Sequence, residues 1–220
     1  MAAPKVEPKI YTAVVLDFET GGLNCVDCAC TQLAMQAVRL DNWTVLERYA
    51  KYIAPYRKLD IGGAPKRKVL KTRQALVQEE AGMSMKYEPV ALTYSAITMD
   101  MLYNQGVDLK EVAQDVIEFG KRNTLSKGQQ CKPILIGQNI TFDIGFLQQL
   151  IAYAGLMPEF EKVFAGKVDF YGNFQPHYVD TIDLGRFAFA HLPDVTSYKL
   201  EILSERLGIE LDDAHDAGAD

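Results

Sequence analysis

The stretch Thr12-Ala13-Val14-Val15-Leu16-Asp17-Phe18-Glu19-Thr20-Gly21-Gly22-Leu23 decides how this chain is read. Its first half is an apolar, β-branched run, which favours a buried strand. Two acids and two glycines then break the run, so the strand ends there and a turn begins. Side chains alternate between faces along a strand, so Asp17 and Glu19 share one face and are able to share a cation. A solvated strand end also accounts for two acids in this spacing. The glycines that follow add something a solvated end does not need, because they let backbone N–H groups approach a ligand closely.

Working outward, TQLAMQAVRL (31–40) and WTVLERYAKYI (43–53) read as two further strands joined in a hairpin across Asp41 and Asn42. Between residues 55 and 90 the pattern changes. Gly, Pro and basic residues crowd IGGAPKRK (61–68), and VLKTRQALVQEEAG (69–82) offers a short helix, so an inserted basic element is expected here. ITMDMLYNQG (97–106) reads as a short helix. DLKEVAQDVIEFGKR (108–122) reads as an amphipathic one, with Val112, Val116 and Phe119 at helical spacing. PILIGQN (133–139) is a buried-type strand, and TFDIGFLQQLIAYAGL (141–156) an apolar helix stopped by Gly155 and Pro158. Phe142, Phe146, Leu147, Leu150 and Ile151 of that helix are expected in the core. Two more helices are expected in VDTIDLGRFAFAHL (179–192) and SYKLEILSERLGI (197–209), the latter closed by Gly208. Strands lead and then alternate with helices, which is the pattern of an α/β domain.

A chain of 220 residues with 48% hydrophobic and 24% charged residues suits one globular domain with an elaboration. The start, MAAPKVEPKI, has no apolar segment behind a basic one, and no run nears the roughly 18 apolar residues that span a bilayer. A cytoplasmic protein with no membrane partner is expected. The net charge of −6 weighs against a globally basic nucleic-acid binder, although an acidic metal site inflates the negative count. KRKVLKTR (66–73) holds five basic residues in eight, and reads either as a solvated face or as a contact for nucleic-acid phosphates. CVDCAC (25–30) has Cys-x-x-Cys spacing, but no second pair completes a zinc site and Cys131 stands alone. Reduced, unliganded thiols are expected.

The remaining chemistry sits in two segments. Asp143 lies near the start of its helix, where the dipole favours an acid, and Asn139 before it is an N-cap candidate. His215 and Asp220 close the chain in AHDAGAD (214–220). Five helical residues turn through about 500°, so these two would not share a helix face. That spacing suits a histidine at a helix entrance, where a near-neutral pKa fits general-base work. Converging carboxylates repel unless cations neutralise them, so such a set is a scaffold for hard divalent ions. His177 and His191 lack acidic partners and read as surface residues. Asp180 reads as a helix cap. Asp212, Asp213 and Asp216 read as solvated acids that could tune His215.

LDFETGGL (16–23), GQNITFDIGFL (137–147) and AHDAGAD together resemble the three motifs of the DEDDh 3′→5′ exonuclease family. The likeness is to the group holding the DNA polymerase III epsilon subunit and RNase T. The resemblance extends through DTIDLGRF (180–187) and SYKLEILSERLGIELDDAHDA (197–217). ITMDML is similar to a further family segment, with Ala96 where Gly is usual.

The resemblance implies a ribonuclease-H-like fold with a central mixed β-sheet flanked by helices. It implies hydrolysis of phosphodiesters from the 3′ end with two ions, Mg²⁺ or Mn²⁺. Asp17, Glu19, Asp143 and Asp220 would hold the ions, Asp17 bridging both, and His215 would deprotonate the attacking water. Thr20, Gly21, Gly22 and Leu23 would hold the terminal nucleotide, and Asn139 would orient the scissile phosphate or Asp143.

The leading expectation is therefore a DNA exonuclease of proofreading or repair type, acting on single-stranded 3′ ends, with a polymerase or repair complex as partner. An RNA-trimming exoribonuclease is the nearest alternative, because the motifs do not fix the sugar. A non-catalytic nucleic-acid-binding module is the other. The whole chain, 1–220, is expected to be one exonuclease domain. Because the family continues past its last aspartate, the chain is expected to be cut short after Asp220.

Overall fold

A computed structural model describes residues 8–59 and 83–209. The opening stretch forms β1 (Thr12–Thr20), which pairs antiparallel with β2 (Cys30–Arg39), itself antiparallel to β3 (Val45–Tyr52). This is the expected hairpin. On the other side of β1 lies β4 (Ile134–Gly137), parallel to it, and a short hairpin of β5 (Gly166–Val168) and β6 (Phe174–Pro176) leads to β7 (Tyr178–Asp180), parallel to β4. The five-stranded sheet has the order β3-β2-β1-β4-β7. Since β1, β4 and β7 run the same way, their carboxyl ends gather at one edge.

The helices are α1 (Pro89–Tyr94), α2 (Met99–Gln105), α3 (Leu109–Arg122), α4 (Thr141–Ala154), α5 (Met157–Val163), α6 (Thr181–Phe189) and α7 (Leu200–Leu207). Asp108 caps α3 by accepting from the Lys110 N–H at 2.9 Å. Its apolar stripe, including Val112, Val116 and Phe119, is fully buried. It packs against α4, whose Phe146, Leu147, Leu150 and Ile151 join Val14, Leu16 and Leu33 of the sheet in one core. Each such large side chain contributes about 1.5–3 kcal/mol on burial. Phe142 is partly buried at the margin of that core.

Several elements escaped the sequence reading for identifiable reasons. Gly155, at φ 74°, does close α4, but Pro158 opens α5 rather than ending anything. In a first helical turn its missing N–H costs nothing. Pro89 begins α1 in the same way. Strands β5, β6 and β7 have three residues each, too few to show a period of two. Ala96, where the resemblance leads one to expect glycine, has φ 54° between α1 and α2. An L-residue pays roughly 1–2 kcal/mol there, which explains the family's usual choice.

The basic run 66–73 and the helix read at 69–82 lie outside the described residues. The feet of that excursion are closed: Lys58 N–H donates to the Met83 carbonyl at 2.7 Å and Arg57 bridges to Ser84. Among the described residues no helix is long and apolar enough to cross a membrane.

Candidate active site

Strand β1 outruns its neighbour. It pairs with β4 only from Ala13 to Val15, yet continues to Thr20, so the side of its last residues that faces β4 needs other partners. One comes from α4, which follows β4 directly: Asp143 Oδ1 accepts the Phe18 N–H at 3.0 Å. Asp143 sits in the first turn of α4 and is 3% exposed. Its carboxyl is pushed up to about 8, first by burial and next by the negative charges of Asp17 and Glu19, while the Phe18 N–H pulls it down. The three acids therefore occupy one electrostatic neighbourhood. Asp17 and Glu19 are half-buried on one face of β1, and Leu16 and Phe18 are buried on the other, as the alternation requires.

Beside the acids opens a cleft of about 610 Å³, lined by Asp17, Glu19, Tyr94, Gln138, Asn139, Thr181, Arg186, Tyr198 and Lys199 among others. It lies at the carboxyl ends of the parallel strands, where open α/β sheets place their ligands. Its wall is cross-linked. Gln138 accepts from the Thr181 hydroxyl and donates its Nε2 to the Tyr198 carbonyl at 2.9 Å. Asp180 caps α6, as read from the sequence, through its Ile182 N–H at 2.9 Å, and the same oxygen accepts the Asn139 N–H at 3.1 Å. Arg186 stacks over the Tyr198 ring at 5.8 Å.

The turn after β1 is built around backbone crowding. Thr20 is buried and its hydroxyl donates to the Gly22 carbonyl at 2.9 Å. The Gly21 N–H goes to the Ala29 carbonyl at 2.7 Å, and the Gly21 carbonyl accepts Glu88 N–H at 2.7 Å. A Cβ on Gly21 would meet the Lys86 carbonyl oxygen at 2.5 Å, and one on Gly22 would meet Cys28 Sγ at 2.7 Å. The glycines thus admit the returning chain at 86–88, a role the sequence reading did not give them. Behind this turn, buried Gln149 of α4 donates to the carbonyls of Cys25 and Cys28 and accepts from Tyr56 Oη at 2.6 Å. Leu23 projects outward, 85% exposed.

Asn139 is not the cap of α4; Ile140 holds that position without a side-chain bond. Asn139 instead takes φ 53°, a left-handed conformation that asparagine tolerates well. His215, Asp220 and their neighbours Asp212, Asp213 and Asp216 lie outside the described residues. Among the described residues, no three His, Cys, Asp or Glu side chains form a ready cage for an ion. The donor chemistry nonetheless fits hard cations: three carboxylates brought together, with the pKa of Asp143 raised by burial and by the charge of the other two. His177 and His191 are exposed, and all four cysteines are free thiols.

Sequence reasoning gave no role to Tyr94, Gln138, Arg186, Tyr198 or Lys199. For Arg186, Tyr198 and Lys199 the signal lay in DTIDLGRF and SYKLEIL, which carried the family likeness without a motif that names a chemistry.

No protein-family model matches the chain. Among curated proteins it is similar to a PolC-type DNA polymerase III from Pediococcus pentosaceus, 24% identical over 204 residues that make up 93% of this chain and 10% of that protein. Among solved structures it is similar to E. coli exonuclease I in complex with a dT13 oligonucleotide. There the TM-score is 0.64 at 18% identity, over 96% of this chain and 38% of that one. The chain has the ribonuclease-H-like exonuclease fold. The zinc-bound form of the E. coli exonuclease I complex with single-stranded DNA agrees, with a TM-score of 0.62 at 21% identity over 96% of this chain and 38% of that one. The likeness to the DEDDh exonucleases read from three motifs is thus borne out in the fold. The chain matches only the stated 10% and 38% of these relatives' lengths.

Proposed function

We propose that this chain is a 3′→5′ exonuclease of cytoplasmic DNA metabolism that releases nucleoside 5′-monophosphates from single-stranded ends. The observation that carries the reading is the convergence of Asp17, Glu19 and Asp143 beside an open cleft at the carboxyl ends of parallel strands. In support, exonuclease I is seen with a dT13 oligonucleotide and with single-stranded DNA, and the curated relative is by name a DNA polymerase III. Residues 1–220 would form one exonuclease domain carrying an insertion at about 55–90.

Asp17, Glu19, Asp143 and Asp220 are the proposed holders of two divalent ions. Such ions, Mg²⁺ or Mn²⁺, supply charge that stabilises the attacking and leaving oxygens of an in-line displacement. Burial and the neighbouring charges of Asp17 and Glu19 favour a proton on Asp143, and bound cations would favour its carboxylate form. His215 takes the proton of the attacking water. Arg186 and Lys199, on the cleft wall, offer cations to the phosphates, and Tyr94 and Tyr198 offer rings on which a base can stack. Leu23, exposed at the rim, offers a further apolar contact, with the Thr20–Gly22 turn setting its position.

Incubation with matched 3′-labelled DNA and RNA strands and either metal tests this reading. Faster release of deoxynucleotides is the expected result. Faster release from RNA would establish the exoribonuclease alternative instead, and binding without release under both metals would establish the non-catalytic one.

A further inference from the structure

Helix α3, strand β4 and helix α5 meet at the edge of the domain opposite the carboxylates. There Lys121, Lys127, Lys132 and Lys162, with Thr124 and Ser126, line a recess of about 710 Å³. Among the described residues lining it there is no carboxylate and no aromatic ring. That runs against composition, since the chain has 29 acids and 23 bases. It is also no run of sequence. The four lysines come from the last turn of α3, the loop after it, the approach to β4, and α5, so the fold collects them.

Their ammonium groups are differently held. Lys132 Nζ donates to the Glu161 carbonyl at 2.9 Å, and partial burial pushes its pKa down, a cost that a bound anion would relieve. Lys121 pairs with Glu118 at 2.9 Å, but both side chains are exposed, and such a pair competes weakly with a ligand. Lys127 and Lys162 are exposed. The Ser126 hydroxyl accepts the Ile10 N–H at 2.9 Å, which leaves its proton to donate.

We propose that this recess holds backbone phosphates of a single-stranded nucleic acid whose 3′ end lies in the cleft. The proposal rests on the nuclease reading for the placement of that end. Spread ammonium groups and a hydroxyl suit a row of phosphates. An acidic peptide is less well served, because nothing aromatic is there to anchor it. Lys132 and Gly137 stand five residues apart through β4, roughly 17 Å at about 3.3 Å per residue. At about 3.4 Å per stacked nucleotide, that gap takes on the order of five nucleotides. A dinucleotide in the cleft cannot reach the recess, whereas a long strand can.

The test compares wild type with Lys127→Gln/Lys162→Gln, using a strand of about twenty nucleotides and a dinucleotide, with binding measured in EDTA across a salt series. The expected result is roughly tenfold weaker binding of the long strand and a log–log salt slope lower by about 1.4, at about 0.7 per lost phosphate contact. Dinucleotide binding, dinucleotide cleavage rate with metal, and the thermal melt stay as in wild type. An unchanged slope on the long strand overturns the proposal. So does equal weakening at both lengths. If neither protein cleaves any substrate but the slope still falls, the recess stands and the nuclease reading fails.

Discussion

At the carboxyl end of β4 the fold gathers Asp17, Glu19 and Asp143, and at its amino end Lys121, Lys127, Lys132 and Lys162. The acids are buried or half-buried, and the charges of Asp17 and Glu19 add to burial in raising the pKa of Asp143; three of the four lysines are exposed to water. Clustering like charges is costly where the dielectric is low and cheap where solvent screens them. The acidic end therefore stores repulsion that only a cation or a proton relieves, which is the state expected of a reaction centre. The basic end stores little and is suited to holding a polyanion. A single short strand separates the two tasks.

Substitutions should divide along the same line. Asp17→Ala, Glu19→Ala or Asp143→Ala is expected to lower nucleotide release by about 10³ or more, because metal-assisted charge stabilisation is worth several kcal/mol. Lys127→Gln should leave the rate on a dinucleotide unchanged. Single-turnover assays on both substrates check this, and a lysine variant that abolishes chemistry would erase the distinction between the two ends.

The acidic end should also govern stability against pH. Asp143 titrates at about 8 in the fold but near 3.9 in an unfolded chain, so the folded state binds the extra proton between those values. Metal-free protein should lose stability as pH rises through that window, with a limiting slope of about 1.4 kcal/mol per pH unit. Asp143→Asn should flatten the profile, as should saturating Mg²⁺. Denaturant titrations at pH 5 and pH 8 provide the check, and equal slopes in wild type and variant would remove the stored repulsion from the account.

These contrasts also explain what could be read from the chain alone. The acids are legible because period-two alternation and a strand-to-turn transition pin Asp17 and Glu19 to one face, and β4 followed at once by an apolar helix brings Asp143 alongside. The α/β class follows from the order of the segments, and the mixed sheet from the family likeness. The lysines are not legible, since they are scattered over residues 121–162 and only the packing of α3 on α5 unites them. The cleft wall was hidden for a similar reason. Arg186, Tyr198 and Lys199 belong to short helices and their approach, whose sequence pattern says where they start but not what they face.

The smallest expected effect separates backbone from side chain at the cleft. Asn139 holds φ 53°, so Asn139→Ala should cost about 1 kcal/mol of stability while Asn139→Gly costs less. If Asn139 orients substrate, both variants lose activity, and Gly does so without losing stability. Thermal melts beside rate measurements distinguish the two contributions.

The central claim is that Asp17, Glu19 and Asp143 form a centre that cuts nucleic acid from its 3′ end. A 5′-labelled single strand incubated with Mg²⁺ or Mn²⁺, with wild type and with Asp17→Ala, tests it most directly. The account predicts a ladder of products shortened one nucleotide at a time from the 3′ end by wild type, and an intact strand with the variant. A strand left intact by wild type with both metals, or a full ladder from Asp17→Ala, would contradict it.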